Sequence, residues 1–481
     1  MRKQIMKKAS AAVAVLVSAM MASSAMTALI HANAAGNTAF PYTMFAGSGA
    51  ENALTINAKH YCINGSIASN GSIAAGKRGN LNGKKTEFAG VDMPYSGDQL
   101  TSKYFSRAQA VDDLNLSKNN LNLNQSMDVS GEAYLNGNVN LNASIKADSD
   151  IYIDGNVANC NNAVLYSEFG DIVIDTNNLN LTGLIYAPLG DVIITANNIN
   201  LNNVVVIADT ITLNANNVNA NYNRSGADVI ASGTETKASY ITKFNSYMMD
   251  KEAETVLNML SQYYTVTPID AGEFSTISIA APLAPGMIVN MDFEVAQYML
   301  EGYGNLSIMK TDGVQQMSTI VLTPFDKDMP LISTDYMFMG ESRISYIEFY
   351  GLGVDGDENM PVFDALRPLQ DKYAQFADTA PTPGWFDEVR TMGLFKLSTY
   401  QDDDAISQML YDSIQITMDA AVNTPDLDPV KRDAKHEIVQ NYVNNLIANP
   451  GVSTAIFNMC LGPDITTTFF NNVFFGTGLY Q

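Results

Sequence analysis

Apolar and polar residues alternate along residues 166–202 in a pattern that recurs after about twenty residues, a period typical of repeat architectures. Gly170-Asp171 returns as Gly190-Asp191, and Asn177-Asn178 returns as Asn197-Asn198. Alternation with a period of two is typical of a strand with one buried face, whereas Gly, Asp and Asn favour turns. One such unit cannot bury its apolar face alone, so the pattern predicts stacked coils of short parallel strands, a β-solenoid.

The same pattern continues on both sides of this stretch. A shorter copy begins at Asp209, a looser one covers residues 54–82, and regular coils resume at Leu114. Between them the apolar spacing changes and predicts a helical excursion or cap, carried by Tyr104, Phe105, Ala108, Ala110 and Leu114. The solenoid is therefore predicted over residues 40–237.

From residue 238 the repeats stop and ordinary globular patterning begins. The apolar spacing predicts a helix at 240–264, then strands at 287–293, 304–310, 317–322 and 344–350, then helices at 362–376, 405–421, 429–447 and 450–460. Antiparallel strands with helices before and after them predict an α/β/α sandwich over residues 238–481. The predicted fold class is thus multidomain: an N-terminal parallel β-solenoid (β-helix) and a C-terminal sandwich with an antiparallel sheet.

The first 34 residues have the pattern of a signal peptide. Arg2, Lys3 and two further lysines precede an apolar run, and Ala32-Asn33-Ala34 is typical of a cleavage site. An uncleaved membrane anchor is the alternative. The prediction is an exported protein, extracellular or at the cell surface.

The net charge and the cysteine content limit which ligands and metal sites the chain can have. The chain of 481 residues has a formal net charge of -23, which argues against binding to nucleic acid. Its three cysteines are too few for a thiolate metal site. They are predicted to be incidental thiols, with a Cys62–Cys160 bridge between coils as the alternative.

Two acidic groups are candidates for calcium, but neither has a known calcium-binding spacing. The first is a possible ladder in the solenoid turns, Asp148, Asp150, Asp154, Asp171 and Asp191; the second is the loop holding Asp355, Asp357 and Glu358. Solvated carboxylates are the preferred interpretation of both, so we predict no metal site. No cofactor motif is evident.

The repeated GD(I/V)(V/I)I and NN(L/I)N(L/I) runs resemble the β-solenoid modules of exported bacterial surface proteins, and more distantly the bactofilin-like polymerising β-helices. This resemblance concerns architecture, because a solenoid is a scaffold that supports many functions. It leaves open whether the solenoid displays a second domain or assembles end to end.

The second half resembles the ferredoxin-dependent bilin reductases, which reduce linear tetrapyrroles. The resemblance covers residues 287–475 and is carried by Thr323-Pro324 with the segment from Met329 to Asp335, by Pro383-Gly384-Trp385-Phe386, and by the end of the chain. It implies a tetrapyrrole pocket between sheet and C-terminal helices, with Asp335 as proton donor and no bound cofactor. A strand carboxyl among apolar neighbours is desolvated, which raises its pKa.

The chain also departs from that family. Thr319 stands at the position of the family's catalytic His, and Asn449-Pro450 stands where an Asn-Asp pair is usual, with no arginine following. Trp385, Asn449 and Arg343 are the candidate ligand-binding residues, with Arg367 or Arg390 as other possible substitutes for the missing cation. The acidity and the predicted export disfavour ferredoxin docking.

Three alternative functions are consistent with these sequence features. The first is a surface protein whose solenoid carries a ligand-recognition domain, with possible contacts to the cell envelope. The second is a binder or reductase of linear tetrapyrroles or of another apolar small molecule. The third is a self-assembling structural solenoid. Whether the chain is an enzyme stays open at this point.

Overall fold

A computed structural model describes residues 40–233, 235–284, 287–313, 315–357, 360–381 and 383–479. The predicted signal peptide lies outside these residues. The described chain divides into two compact units, one ending at Tyr240 and the other beginning at Ile241. Within the described residues, no helix is both long enough and apolar enough to cross a bilayer.

The first unit is a parallel β-solenoid of about nine turns. Its strands belong to one 15-stranded sheet. They are β1 Tyr42–Ala46, β2 Leu54–Asn64, β3 Ser66–Ser69, β4 Ile73–Ala75, β5 Gly79–Asn82, β6 Lys85–Thr86, β7 Gln109–Val111, β8 Leu114–Leu123, β9 Met127–Val129, β10 Ala133–Leu141, β11 Ile145–Ala147, β12 Ile151–Ser167, β13 Ile172–Ala187, β14 Val192–Ala208 and β15 Ile211–Tyr222.

The repeat places equivalent residues directly above one another. Ile174 pairs with Ile194, which in turn pairs with Leu213, and all three are buried. Each strand of this column therefore buries its inward residues against the coils above and below, as the alternation predicts.

The order of the coils along the solenoid differs from their order in the sequence. Strand β2 stacks on β15, the last strand of the repeat, with Ile56 opposite Leu213, and β1 stacks on β14 with Met44 opposite Val206. Stacking requires only matched strand register and buried apolar residues, so the N-terminal coils can close the C-terminal end of the repeat.

Short helices cover one side of the solenoid. Helix α1, Gly97–Leu100, leads into a π-helical turn at Thr101–Phe105. Together with α2, Arg224–Ala231, they contribute Leu100, Phe105 and Ile230 to a buried cluster with outward residues of the strands. The predicted excursion exists, but its predicted extension to Ala110 and Leu114 is wrong, because those residues belong to β7 and β8.

The alternative disulfide does not form. Cys62 and Cys160 are both free, because β2 and β12 are separated in the sheet by β15, β14 and β13. Burial raises the pKa of the Cys160 thiol to about 12.

The second unit contains a nine-stranded antiparallel sheet with helices. The strand order is β16-β18-β19-β20-β21-β22-β24-β23, with β17 pairing to β18. The strands are β16 Val266–Ile269, β17 Thr276–Ala284, β18 Met287–Leu300, β19 Gly304–Asp312, β20 Gln316–Pro324, β21 Leu331–Met339, β22 Ser342–Tyr350, β23 Ala377–Asp378 and β24 Met392–Thr399. The helices are α3 Lys237–Leu260, α4 Val362–Leu366, α5 Pro368–Lys372, α6 Asp403–Asn423, α7 Pro429–Ala448, α8 Val452–Cys460 and α9 Pro463–Phe469. Single helical turns lie at Gly272–Phe274, Trp385–Glu388, Tyr400–Asp402, Phe470–Phe474 and Thr477–Leu479.

One predicted helix is wrong in length. The segment 362–376 forms two five-residue helices that meet at Pro368. Proline has no backbone N–H and clashes with the preceding turn, so one continuous helix cannot pass through this position.

Helices contact both faces of the sheet. On one face, Tyr442 of α7 and Phe469 of α9 join a cluster with strand residues that include Val321. On the other face, Asn245 of α3 and Asp403 of α6 bind the side chain of Arg343.

Candidate functional site

Asp335 and Thr319 lie side by side on neighbouring strands. The two residues are direct partners in the antiparallel pairing of β20 with β21, and the Thr319 hydroxyl donates to Asp335 Oδ1 at 2.6 Å. Desolvation raises the pKa of the Asp335 carboxyl, and the Thr319 hydrogen bond offsets part of that rise. The two residues predicted from the family's catalytic positions therefore form one polar pair.

The pair lies on a sheet face that is only partly covered, although the Thr319 side chain itself is buried. The apolar residues around it on β20, β21, β22 and β24 are only half-buried, whereas residues on the opposite face of these strands, such as Phe338 and Ile347, are buried. We call this surface the open strip; it consists of Met317, Thr319, Asp335, Met337, Ile344, Tyr346, Glu348 and Phe395.

Aromatic rings flank the carboxyl within the open strip. Tyr346 is the partner of Asp335 across β21 and β22, and Phe395 is the partner of Tyr346 across β22 and β24. The two rings meet edge to face with centroids 5.5 Å apart. The two rings therefore extend the apolar surface beside the desolvated carboxyl.

A second carboxyl and an arginine border the open strip. Glu348 accepts from Arg390 Nε at 2.7 Å, and the Arg390 guanidinium lies 5.0 Å from the centre of the Phe395 ring. Burial raises the pKa of Glu348, Arg390 opposes that rise, and Asp335 adds to it. Of the three arginines predicted as candidates, Arg390 is therefore the one that contacts the open strip.

Trp385 and Asn449 are in contact, but Trp385 binds the backbone of Asn449 and not its side chain. Trp385 Nε1 donates to the Asn449 carbonyl at 2.9 Å, while the Asn449 side chain is exposed. The Trp385 ring contacts Tyr442, which also contacts Tyr350 on the open-strip face of the sheet. Trp385 therefore lies where helix α7 meets that face.

Arg343 is placed away from Asp335. Its side chain is fully buried on the opposite face, where Nε binds Asp403 at 2.8 Å and Nη2 binds Asn245 at 2.8 Å. Arg367 is exposed and pairs with Asp364. Neither arginine shares the face of the sheet that carries Asp335.

Tyr346, Glu348 and Phe395 were not predicted as site residues from the sequence. The pattern that indicates them is the alternation along β22 and β24, which places Tyr346 and Glu348 on one face. That face can be matched to Asp335 only when the pairing register of the strands is known.

Three of the five solenoid carboxylates accept hydrogen bonds from the backbone of the next coil, whereas Asp148 pairs with Lys146 and Asp154 accepts from Tyr134 and Asn136. Asp150 Oδ1 accepts the N–H of Asp171 at 2.6 Å, Asp171 Oδ1 accepts that of Asp191 at 2.7 Å, and Asp191 Oδ1 accepts that of Thr210 at 3.1 Å. Each repeat thus caps a turn of the next one.

The acidic loop has partners of its own. Asp357 accepts from Gly353 N and from Thr391, and Asp355 pairs with Lys431. Glu358 lies outside the described residues. Across the described ranges, no group of three or more His, Cys, Asp or Glu side chains is placed to hold a metal ion.

Comparisons with known proteins find only weak likenesses. No family model and no curated protein matches the chain. Over 48% of its length, the chain is similar to phytochromobilin synthase from tomato, solved in complex with biliverdin, with a TM-score of 0.40, 9% identity and coverage of 84% of that chain.

Two further solved structures are ice-binding proteins. The one from an Antarctic biological consortium has a TM-score of 0.23 and 12% identity over 40% of this chain and 94% of that one. The one from the ascomycete Antarctomyces psychrotrophicus has a TM-score of 0.18 and 15% identity over 37% and 93%. These values leave the function of the chain open.

Proposed function

We propose that the second unit is a ligand-recognition domain that binds a linear tetrapyrrole, or a conjugated molecule of that shape, on the open strip. The observation that carries the proposal is the Asp335–Thr319 pair at the centre of a partly buried apolar face. We further propose that the domain is an α/β/α sandwich of the kind implied by the resemblance to bilin reductases.

The chemistry of the strip fits such a ligand. A flat conjugated chain can stack on Tyr346 and Phe395, and flexible Met317 and Met337 can adapt to its edges. The Asp335 carboxyl accepts pyrrole N–H groups when ionised and donates to a carbonyl oxygen when protonated. Arg390 at the border pairs with Glu348 and Asp387, so a ligand carboxylate must displace one of these partners to bind it.

The same proposal assigns the solenoid the role of a scaffold outside the cell. The signal-peptide pattern of residues 1–34 and the net charge of -23 support export. A stacked β-solenoid supports such display, because each coil is held by its neighbours along the whole length of the unit.

The test is a visible absorption titration of the full protein with biliverdin. We expect a saturable band shift in the micromolar range that becomes at least tenfold weaker in Asp335→Asn. Asp364→Asn is the control, because Asp364 is an exposed carboxylate paired with Arg367. No shift at high micromolar biliverdin, or equal loss in both variants, contradicts the proposal.

Reduction of the bound ligand is a second candidate at the same site. It is favoured by the proximity of two carboxyls with raised pKa, Asp335 and Glu348, because a protonated carboxyl can deliver a proton. The electrons must come from a separate donor. Bound biliverdin mixed with dithionite, a small reductant that needs no docking surface, should then give a new product band that Asp335→Asn abolishes; an unchanged spectrum rejects this candidate.

Self-assembly of the solenoid is a further candidate. Strand β8 pairs only with β10 among the described strands, so one edge of a ten-residue strand has no partner strand there. Asn119 falls at a register shift and has no partner in β10. Proline at 119 should therefore block edge pairing without breaking the β8–β10 ladder.

Sedimentation velocity decides this candidate. Wild-type protein is expected to form species that grow with concentration, and Asn119→Pro is expected to remain monomeric. A wild type that stays monomeric at high micromolar concentration rejects self-assembly.

A further inference from the structure

One face of the solenoid is built almost entirely from asparagine. We call it the Asn face and define it by three parallel columns of outward side chains. They are Asn178, Asn198 and Asn217 in the first, Asn140, Asn159, Asn180, Asn200 and Asn219 in the second, and Asn124, Asn142, Asn161, Asn202 and Asn221 in the third, which Thr182 interrupts between Asn161 and Asn202.

Hydrogen bonds run along each column from one coil to the next. In the second column, Asn219 donates to Asn200 at 3.2 Å, Asn200 to Asn180 at 3.0 Å, and Asn180 to Asn159 at 3.0 Å. The first column continues the same pattern, with Asn217 donating to Asn198 at 2.9 Å. The amides are therefore held in one orientation at the spacing of the strands, about 4.8 Å.

The ladders leave hydrogen-bonding capacity at the surface. A side-chain amide has two N–H donors and an oxygen with two lone pairs. A ladder position such as Asn180 uses one N–H and one lone pair along the column. One donor and one acceptor therefore stay available in register at Asn159, Asn180 and Asn200, on three successive coils.

The Asn face is also neutral in a strongly acidic chain. The outward positions of its three columns on β10 and β12–β15 are Asn, with Thr182 and Val157 as the exceptions, and none of them is charged. The next face of the same coils carries Asp154 and Asp175 as exposed residues. The charge of the protein thus lies elsewhere, and an anionic or cationic polymer gains nothing from this face.

We propose that the Asn face binds an extended neutral polysaccharide. Sugar hydroxyls both donate and accept, so a chain of neutral rings can use the donor and the acceptor that each amide keeps free. The ladders already restrict the amide side chains, so binding costs less side-chain entropy than it does on a mobile surface. This site is separate from the open strip and does not depend on the tetrapyrrole proposal.

Depletion isotherms of the full protein on microcrystalline cellulose and insoluble β-mannan test the proposal. Wild type is expected to be retained on at least one of these polymers, and the double variant Asn180→Ala/Asn200→Ala is expected to bind it at least tenfold more weakly. The matched control is Asp175→Ala/Thr195→Ala, which alters the neighbouring face on the same two strands and should bind like wild type.

A more conservative substitution distinguishes a folding defect from a binding defect. Asn180→Thr keeps a polar group and a residue that favours strands, and its thermal midpoint is measured beside its isotherm. Threefold or greater weakening at an unchanged midpoint supports the proposal. No retention of wild type on either polymer, or equal loss in the control, overturns it. Thermal hysteresis in ice without retention on the polymers also overturns it, because the amide array then matches a water lattice.

Discussion

At the scale of single residues, burial decides the role of each arginine. Arg343 is fully buried against Asp403, whereas Arg390 lies at the edge of the open strip and pairs with Glu348. Both occur in similar mixed surroundings in the sequence. Arg343 points from β22 toward helices α3 and α6, whereas Arg390 precedes β24 and lies beside the open strip, so position relative to the sheet separates the two residues.

Loss of the Arg343 side chain should strongly destabilise the second unit. Arg343→Met leaves the Asp403 carboxylate buried without its partner, and we expect the free energy of unfolding to fall by about 3–5 kcal/mol. Urea denaturation measures this change. Arg367→Ala, which removes an exposed ion pair, should cost about 0–1 kcal/mol, and similar losses in both variants contradict the prediction.

Glu252 should make stability depend on pH. Burial, with a smaller contribution from Asp403, raises the pKa of Glu252 to about 8 from 4.5. The folded state then binds the proton more tightly than the unfolded state. This contribution to stability is complete below about pH 4.5 and is lost as the pH rises through about 8.

The variant Glu252→Gln should flatten that dependence. Each pKa unit corresponds to about 1.4 kcal/mol, so we expect a gain of a few kcal/mol at pH 8 and little change at pH 4.5. Denaturation midpoints across this range are the measurement. Glu254→Gln, an exposed neighbour on helix α3, should follow the wild-type curve; a Glu252→Gln curve parallel to wild type rejects the prediction.

At the scale of elements, the solenoid strand has two faces that contribute very differently to stability. Leu181 is buried between Cys160 and Leu201 in neighbouring coils, while Asn180 beside it is exposed and hydrogen-bonded along a ladder. The apolar column supplies most of the stability, because the exposed amides exchange hydrogen bonds with water at little net gain.

Alanine substitutions at these adjacent positions test that difference. Leu181→Ala should lower the free energy of unfolding of the solenoid by about 2–5 kcal/mol, and Asn180→Ala by about 1 kcal/mol or less. Urea denaturation followed by circular dichroism compares them. A larger loss at Asn180 than at Leu181 would mean that the ladder holds the coils together.

At the scale of the whole molecule, the solenoid is closed by its own N-terminal coils. Strand β2 covers β15, so the apolar residues of the last repeat are shielded by a segment about 150 positions earlier in the chain. Such a long-range contact forms only after a large loop is closed, which is costly in entropy. The N-terminal coil is therefore expected to control the stability of the C-terminal repeats.

Truncation of the Ile56 side chain should reduce the protection of strand β15, although the two segments are far apart in the sequence. We expect Ile56→Ala to accelerate hydrogen exchange of the backbone amides in Ile211–Tyr222, because these amides are protected by the coil that Ile56 stabilises. Thr55→Ala, on the outward side of the same strand, should leave this exchange unchanged. Exchange in Ile211–Tyr222 that is insensitive to Ile56 contradicts the closing role of β2.

The sequence by itself determined the local structure of the chain. Period-two alternation with Gly-Asp and Asn-Asn turns specified the parallel coils, and wider apolar spacing specified helices such as α6 and α7. These features follow from neighbouring residues, which decide backbone preference and the side of an element that is apolar. Asp335 and Thr319 were each selected from the sequence, but their pairing across β20 and β21 was not.

Tertiary structure alone decided which residues meet across elements. The stacking of β2 on β15, the separation of Cys62 from Cys160, and the burial of Arg343 on the face opposite Asp335 all depend on strand order and register. A shift of one residue in register moves every side chain to the other face of a strand. Alternation within one strand cannot contain that information, because register is a relation between two strands distant in the chain.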